Sequence, residues 1–242
     1  MNDPIASQHT SSSVEDYVKA IWELAGANAA STKEISKRLR LSGASVTNML
    51  GRLKEMGLVN YERYHGASLT EEGCAQALRI VRRHRLIESF LLEQLGYSWG
   101  EVHEEAERLE HAVSDEFTER LAEFLGHPAR DPHGDPIPRA DGTLERDESF
   151  RLDEAAAGQF VRISRVNPEN PSMLNYLGKH GLVPGQTLTV NEIRTVDGVV
   201  TIEDEDGKSY SLGRPLAASL FVQGVVEPTN TYPVEPTTTY PS

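Results

Sequence analysis

The sequence predicts a mainly α chain with a small β domain, headed by an N-terminal winged helix-turn-helix. Two short amphipathic helices, joined by a Gly-bearing turn, precede a hairpin centred on His65-Gly66. Apolar residues recur at helical spacing over residues 71–96 and 102–125. Beyond residue 160, short β-branched runs are broken by Asp197-Gly198 and Asp206-Gly207, the pattern of a small β-barrel.

The elements follow in order. Val14, Tyr17, Ile21 and Leu24 sit at turn spacing and predict a helix over residues 14–25 with Ser13 as its cap. Thr32 is the expected cap of a second helix, residues 33–40, with Ile35 and Leu39 on one face. Leu41-Ser42-Gly43 makes the turn, and residues 44–56 form a third helix with Val46, Leu50 and Leu53 inward. The hairpin occupies residues 58–70, and a long helix spans 71–96. A loop through Gly100 leads to a second long helix, residues 102–125. The Pro-, Gly- and Asp-rich stretch that follows reads as a linker. One helical turn is expected near residues 172–179, inside the β domain. The expected boundaries are 1–73 for the winged domain, 74–126 for the helical domain, 127–152 for the linker and 153–226 for the β domain. A disordered Pro/Thr/Tyr tail is expected over 227–242.

Composition narrows the function. The chain has 242 residues, 38 % hydrophobic and 25 % charged, enough for globular domains with real cores. No apolar run approaches the roughly 18 residues that a membrane span needs. The polar first residues lack the order of a signal peptide. A single cysteine, Cys74, excludes a disulfide framework and a cysteine-rich zinc site. A cytoplasmic protein with no membrane partner is expected.

The net charge of −13 argues against a polyanionic partner, but the charge is unevenly spread. Over residues 31–65, Lys33, Lys37, Arg38, Arg40, Arg52, Lys54 and Arg63 outnumber Glu34, Glu55 and Glu62. Over residues 101–125, nine acids face only Arg108 and Arg120. The basic unit suits double-stranded DNA and the acidic one suits cations. A major groove admits one helix, whose first turn meets base edges. Here that turn carries Ser42, Ala44, Ser45, Thr47 and Asn48, short side chains that can approach bases closely. Arg52, Lys54 and the wing residues Arg63, Tyr64 and His65 are placed to hold phosphates, which position rather than specify. A winged domain that packs or binds protein is the alternative.

A second constellation lies in the long helices. His84 and Glu88, four residues apart, share a face with Ile80, Val81, Ile87 and Leu91. An ionisable pair inside an apolar stripe is costly unless something satisfies it. His103, Glu107, Glu110 and His111 form one stripe beside Ala106, Leu109, Val113 and Phe117. Imidazoles and carboxylates at this spacing on two helices are metal-ligand chemistry, although each pair alone suits a solvated face or a core histidine.

Several motifs in order carry a resemblance. Glu15-Asp16-Tyr17 with Ile21-Trp22-Glu23-Leu24, then Arg83-His84-Arg85-Leu86-Ile87-Glu88, Val102-His103-Glu104-Glu105-Ala106, Glu110-His111, and Pro132-His133-Gly134-Asp135-Pro136-Ile137-Pro138 together resemble the diphtheria toxin repressor family of metal-dependent transcriptional regulators. The resemblance spans about residues 10–226. It implies no enzyme. It implies a winged helix-turn-helix domain, a helical metal-binding and dimerisation domain and a C-terminal SH3-like domain, acting as a homodimer on palindromic operator DNA to control metal-ion uptake genes. It places a primary metal site on Asp16, Glu107, Glu110 and His111, and an ancillary site on His84, Glu88 and His103, so two sites per subunit are expected. Glu169 matches a further donor from the SH3-like domain. Lys19 stands where manganese-selective members carry an acidic ligand. Arg85 matches the arginine that supports an anion in some iron-type members, but Asp131 and Asp135 replace the small polar residues that complete that support. Iron-type members place methionine and cysteine where this chain has Asp16 and Glu107. Hard donors and no thiolate favour Mn²⁺, with Fe²⁺ as the alternative. Two other functions remain open at this point: a winged-helix regulator that senses an organic ligand, and a di-metal hydrolase. The second lacks an obvious nucleophile or phosphate loop.

Overall fold

A computed structural model describes residues 11–25, 28–167 and 170–225. The chain forms two compact units, one of residues up to 148 together with 166–182, the other of 149–165 together with residues from 183 onward.

The first unit begins with three helices around one core. They are α1 (Ser12–Ala25), α2 (Thr32–Leu39) and α3 (Gly43–Glu55). Val18, Ile21, Ile35, Val46, Leu50 and Leu53 are fully buried between them. The cap of α2 is Ser31 rather than the expected Thr32. Its hydroxyl accepts the Glu34 N–H while the Glu34 carboxylate accepts the Ser31 N–H, a reciprocal box that Thr32 cannot make. Ser42 caps α3 without such a box, its hydroxyl accepting the Ser45 N–H. The wing is an antiparallel pair, β1 (Val59–Glu62) and β2 (Gly66–Leu69). It is pinned to the loop before α2 by paired backbone bonds between Ala30 and Ala67.

The long helix α4 (Glu71–Leu95) runs from a Thr70 cap to the left-handed Gly96. The single helix expected over 102–125 is instead two, α5 (Val102–Leu109) and α6 (Asp115–Phe124). The break is local chemistry. The Ser114 hydroxyl accepts the Phe117 N–H, and Asp115 and Glu116 follow in the first turn, where negative charge suits a helix start. Glu110 and His111 therefore lie at the end of α5 and in the bend after it, not along a straight helix.

Part of the expected linker is folded onto α4. Ile137 is buried with Leu86, Ile87 and Ala106. Arg82 and Arg85 donate to the carbonyl oxygens of Pro138 and Pro136. The expected helical turn is α7 (Pro171–Lys179), and it belongs to this first unit rather than to the β domain. There it lies so close to Gly100 that a side chain at that position would meet the Pro171 carbonyl and Asn175.

The second unit is a six-stranded sheet of β3 (Phe150–Arg151), β4 (Phe160–Val166), β5 (Thr187–Ile193), β6 (Val200–Asp204), β7 (Ser209–Leu212) and β8 (Leu220–Gly224). The order is β3-β8-β4-β5-β6-β7, with a bulge in β5 between Val190 and Glu192. A short helix, α8 (Arg214–Ala217), precedes β8. Alternate residues such as Val161, Ile163, Leu188, Val190, Ile202 and Val222 fill the core. No helix among the described residues is long and apolar enough to cross a membrane. The expected tail, residues 227–242, and Glu169 lie outside the described residues.

Candidate metal centre

The first unit gathers three sets of possible donor atoms, each within 4.8 Å of one another. They are Asp16, Glu110 and His111; His84, Glu88 and His103; and Glu88, Asp131 and His133.

In the first set, α1 supplies Asp16 and the bend after α5 supplies the rest. His111 Nε2 lies 2.8 Å from Asp16 Oδ1 and 3.7 Å from Glu110 Oε1. Its other nitrogen, Nδ1, lies 2.6 Å from Glu15 Oε2, and Glu15 in turn faces Arg83 at 3.6 Å. A carboxylate behind an imidazole fixes its tautomer and aims the free nitrogen at the ligand position. The hydrogen bonds to Asp16 and Glu15 push His111 up to about 10. Glu110 is buried, and Lys19 from α1 holds both of its oxygens at 2.9 and 2.8 Å.

Glu107, expected in the same set, is not with it. Its side chain is 43 % exposed and faces His103 Nε2 at 3.5 Å and Arg38 of α2 at 3.6 Å. A shallow cleft nevertheless joins Asp16, Lys19, Glu23, Arg38, Glu107 and Glu110 along one wall of α1.

The second set lies deeper. His84 Nε2 is 3.0 Å from Glu88 Oε1 and from His103 Nδ1, while its Nδ1 faces Glu110 and Lys19. Burial would push the His84 imidazole down. The Glu88 charge and the hydrogen bonds to Glu110 and Glu88 outweigh burial, so it is pushed up to about 9. Glu88 is 1 % exposed; burial opposes its ionisation, yet the neighbouring imidazoles hold it well below the usual range.

The third set shares Glu88 and was not expected. Asp131 and His133 come from the segment read as a linker. His133 is fully buried, and its Nδ1 has no hydrogen-bond partner, the nearest carboxylate oxygen being Glu88 Oε1 at 3.8 Å. Burial, then the charges of Glu88 and Asp135, push Asp131 up to about 7. Trp99 stacks on the His133 ring at 5.5 Å and donates to the Pro132 carbonyl. The sequence signal was Asp131-Pro132-His133, two donors two residues apart, masked by a composition that reads as a loop. Glu15 was also missed as a second carboxylate for His111, although it neighbours Asp16.

These donors fit a divalent ion. They are oxygens and imidazole nitrogens with no thiolate, they come from separated parts of the chain, and one buried imidazole nitrogen is left with no partner. Cys74 on α4 stands outside all three sets.

The expected DNA face is open. Ser42, Ala44, Ser45, Asn48, Arg52, Lys54, Arg63 and His65 are exposed, and Tyr64 is 91 % exposed at the wing tip. Thr47 is half-buried and donates to the Gly43 carbonyl, and Lys54 donates to the Tyr61 carbonyl of the wing.

Three family models match the chain in order. Residues 9–67 match the N-terminal DNA binding domain of iron dependent repressors, and residues 70–139 match their metal binding and dimerisation domain. Residues 150–224 match the FeoA domain. The iron-dependent repressor of Mycobacterium tuberculosis is 30 % identical over 227 residues, covering 87 % of this chain and 96 % of that one. The diphtheria toxin repressor of Corynebacterium efficiens is 34 % identical over 158 residues, 63 % of this chain and 69 % of that one. A solved manganese-dependent transcriptional repressor in complex with manganese superposes with a TM-score of 0.83 at 38 % identity, over 88 % of this chain and all of that one.

Proposed function

The chain belongs to the iron-dependent repressor family and is a metal-dependent transcriptional repressor, not an enzyme; from that premise we propose that Mn²⁺ gates its binding to a palindromic operator as a homodimer in the cytoplasm. Fe²⁺ is the second metal to which this donor set is suited. The single observation that carries the reading is the meeting of Asp16 with His111 and Glu110, because it joins a helix of the DNA-binding core to the helical body.

We assign the primary site to Asp16, Glu110 and His111, with Glu107 near enough along the cleft to join them. The ancillary site takes Glu88 with His84 and His103 on one side and Asp131 and His133 on the other. That makes two ions per subunit, and Glu169 stands as a further donor. The proposed working parts are residues 1–73 for reading DNA and 74–126 for metal and dimerisation, with 127–152 contributing two ligands rather than only a connection. Residues 153–226 form the appended β domain.

A bound divalent ion supplies positive charge that the carboxylates share. The residues do the rest. Asp16 is carried by α1, whose buried face packs with Ile35 of α2 and Leu50 of α3, so fixing Asp16 fixes the recognition helix. Glu15 aims the His111 ring. Ser42, Ala44, Ser45, Thr47 and Asn48 face the base edges, while Arg52, Lys54 and Arg63 hold phosphates. Two copies related by a two-fold axis would set these helices on half-sites about 34 Å apart. The ion shifts the equilibrium only by its preference for the DNA-competent arrangement.

The test is a labelled palindromic promoter fragment titrated with protein in buffered Mn²⁺, in buffered Fe²⁺ and in chelator. Tight binding with metal and loss of binding in chelator is expected. Equal binding in all three removes the gating proposal.

A further inference from the structure

One buried imidazole is held by both its ring and its backbone. His133 Nε2 lies 3.2 Å from the backbone carbonyl oxygen of Trp99. A carbonyl oxygen can only accept, so the nitrogen facing it carries the proton. The Trp99 indole stacks on the same ring, with centroids 5.5 Å apart and planes 26° from parallel. Its Nε1–H donates to the Pro132 carbonyl at 3.0 Å, which ties the indole to the residue before His133. The His133 N–H donates to Asp131 Oδ1, and the His133 carbonyl accepts the Val166 N–H, each at 2.8 Å. Nδ1 is left with no hydrogen-bond partner. It points to Glu88, with Oε1 at 3.8 Å, and to the donor set that Asp131 completes.

We infer that Trp99 is a positioning residue of the ancillary site: its carbonyl keeps the proton on His133 Nε2, its indole holds the ring from one face, and His133 therefore offers a divalent ion Nδ1 and not Nε2. This rests on the reading of Glu88, Asp131 and His133 as ligands. Turning the ring over would aim Nε2 at Glu88, but it would break the bond to the Trp99 carbonyl and leave a buried N–H to find another acceptor. The stacked indole resists the same movement. A hydrogen bond from the far nitrogen fixes the tautomer of a ligand imidazole and raises its basicity, so the arrangement favours the ion as well as the orientation.

Trp99 is itself backed by the chain. α7 packs so closely that a Cβ at Gly178 would come within 3.3 Å of the indole Cε3, and a Cβ at Gly100 would meet the Pro171 carbonyl and Asn175. Glycine at both positions leaves the space that the ring and the helix need. Residues 166–182, which lie between β4 and β5, thus support the ancillary site through packing: α7 fixes Trp99, and Trp99 fixes His133.

The experiment reads the two nitrogens and the ions separately. The full-length chain with ¹⁵N-labelled histidine is titrated with ¹¹³Cd²⁺, a diamagnetic divalent probe, and the His133 ring signals are assigned by their absence in His133→Gln. In wild type, ¹¹³Cd–¹⁵N coupling is expected on Nδ1, with Nε2 still protonated. Coupling on Nε2 overturns the inference and leaves the metal site standing. Cd²⁺ binding is then compared by calorimetry, with His133→Gln identifying the ancillary ion. Trp99→Leu loses the stack and the bond to Pro132. It is expected to weaken the ancillary ion by at least about tenfold while the ion on Asp16, Glu110 and His111 binds as before. Trp99→Phe, which keeps a ring against His133, is expected to recover most of that loss. Equal loss of both ions in Trp99→Leu, or loss of neither, leaves Trp99 without a positioning role and overturns the inference. If Cd²⁺ leaves both His133 nitrogens unchanged and His133→Gln binds every ion as tightly as wild type, His133 is no ligand, and the reading of the site falls with the inference. Should Trp99→Leu not fold, the position of the coupling in wild type still decides.

Discussion

His111 Nε2 lies 2.8 Å from Asp16 Oδ1, although the two residues are ninety-five positions apart. One sits in the bend after α5, the other on the first helix, so under the proposed function their meeting is where metal would couple the two. The Asp16 side chain is 47 % exposed and supports no core packing. Asp16→Ala should therefore leave the far-ultraviolet circular dichroism unchanged and lower the midpoint of urea unfolding only slightly, through the lost bond to His111. It should weaken Mn²⁺ binding by at least about tenfold, roughly 1.4 kcal/mol. Calorimetry that finds wild-type affinity would remove Asp16 from the site.

Protons compete with metal here. In the metal-free protein His111 is pushed up to about 10 and His84 up to about 9. Both are raised above their unfolded values, so each contributes stability that is fully present below about pH 6.5 and is lost as pH rises towards those values. Metal binding has the opposite sign, because each ligand imidazole must give up its proton. Mn²⁺ affinity should rise by about tenfold per pH unit for each displaced proton between pH 6 and 8. Calorimetry in buffers of different ionisation enthalpy should show proton release on binding. An affinity independent of pH over this range would place the metal elsewhere.

The fold was legible wherever a pattern is local. The 3.6-residue spacing in α1 and α4 and the His65-Gly66 turn were each enough to place an element. What periodicity could not see was the Ser114 cap, since the apolar stripe of Ala106, Leu109, Val113 and Phe117 runs across the break and disguises two helices as one. The site was legible to the extent that its donors sit on helices. His84, Glu88 and His103 do, and the structure brings them together. Asp131 and His133 do not: they are held by a loop in which Asp131 Oδ1 accepts the backbone N–H of both His133 and Asp135. Such a turn looks like any Pro/Gly/Asp linker until it is packed. Glu107 shows the opposite limit. Its spacing is right, but Arg38, a cation from another helix that no local pattern links to it, draws it away.

The wing depends on one glycine. Gly66 has φ +92, and a Cβ there would come within 2.6 Å of the Ala30 carbonyl oxygen. That backbone carries the paired bonds between Ala30 and Ala67 that fasten the wing to the loop before α2. Gly66→Ala combines left-handed strain with a backbone clash, and should cost roughly 2 kcal/mol in urea unfolding. It should also weaken DNA binding by displacing Arg63 and Tyr64. A variant as stable as wild type would mean that the wing can move without loss.

Base reading and phosphate holding should separate by salt. Asn48 is exposed on α3 nearly two turns beyond the Ser42 cap, and its amide can pair with an adenine edge. Arg52 is exposed one turn further on, and is proposed to hold the phosphate backbone. Asn48→Ala should cost about 1–3 kcal/mol on the operator and almost nothing on unrelated DNA, with the same dependence on salt. Arg52→Ala should weaken both by similar factors and reduce the slope of log affinity against log salt by about one. The acidic body sharpens this contrast, because a chain of net charge −13 gains little from DNA outside its basic face. The measurement is fluorescence anisotropy with operator and scrambled duplexes at several KCl concentrations in saturating Mn²⁺. If Asn48→Ala loses affinity equally for both duplexes, α3 does not read bases through that residue, and the recognition turn must be reassigned to Ser42, Ala44 and Ser45.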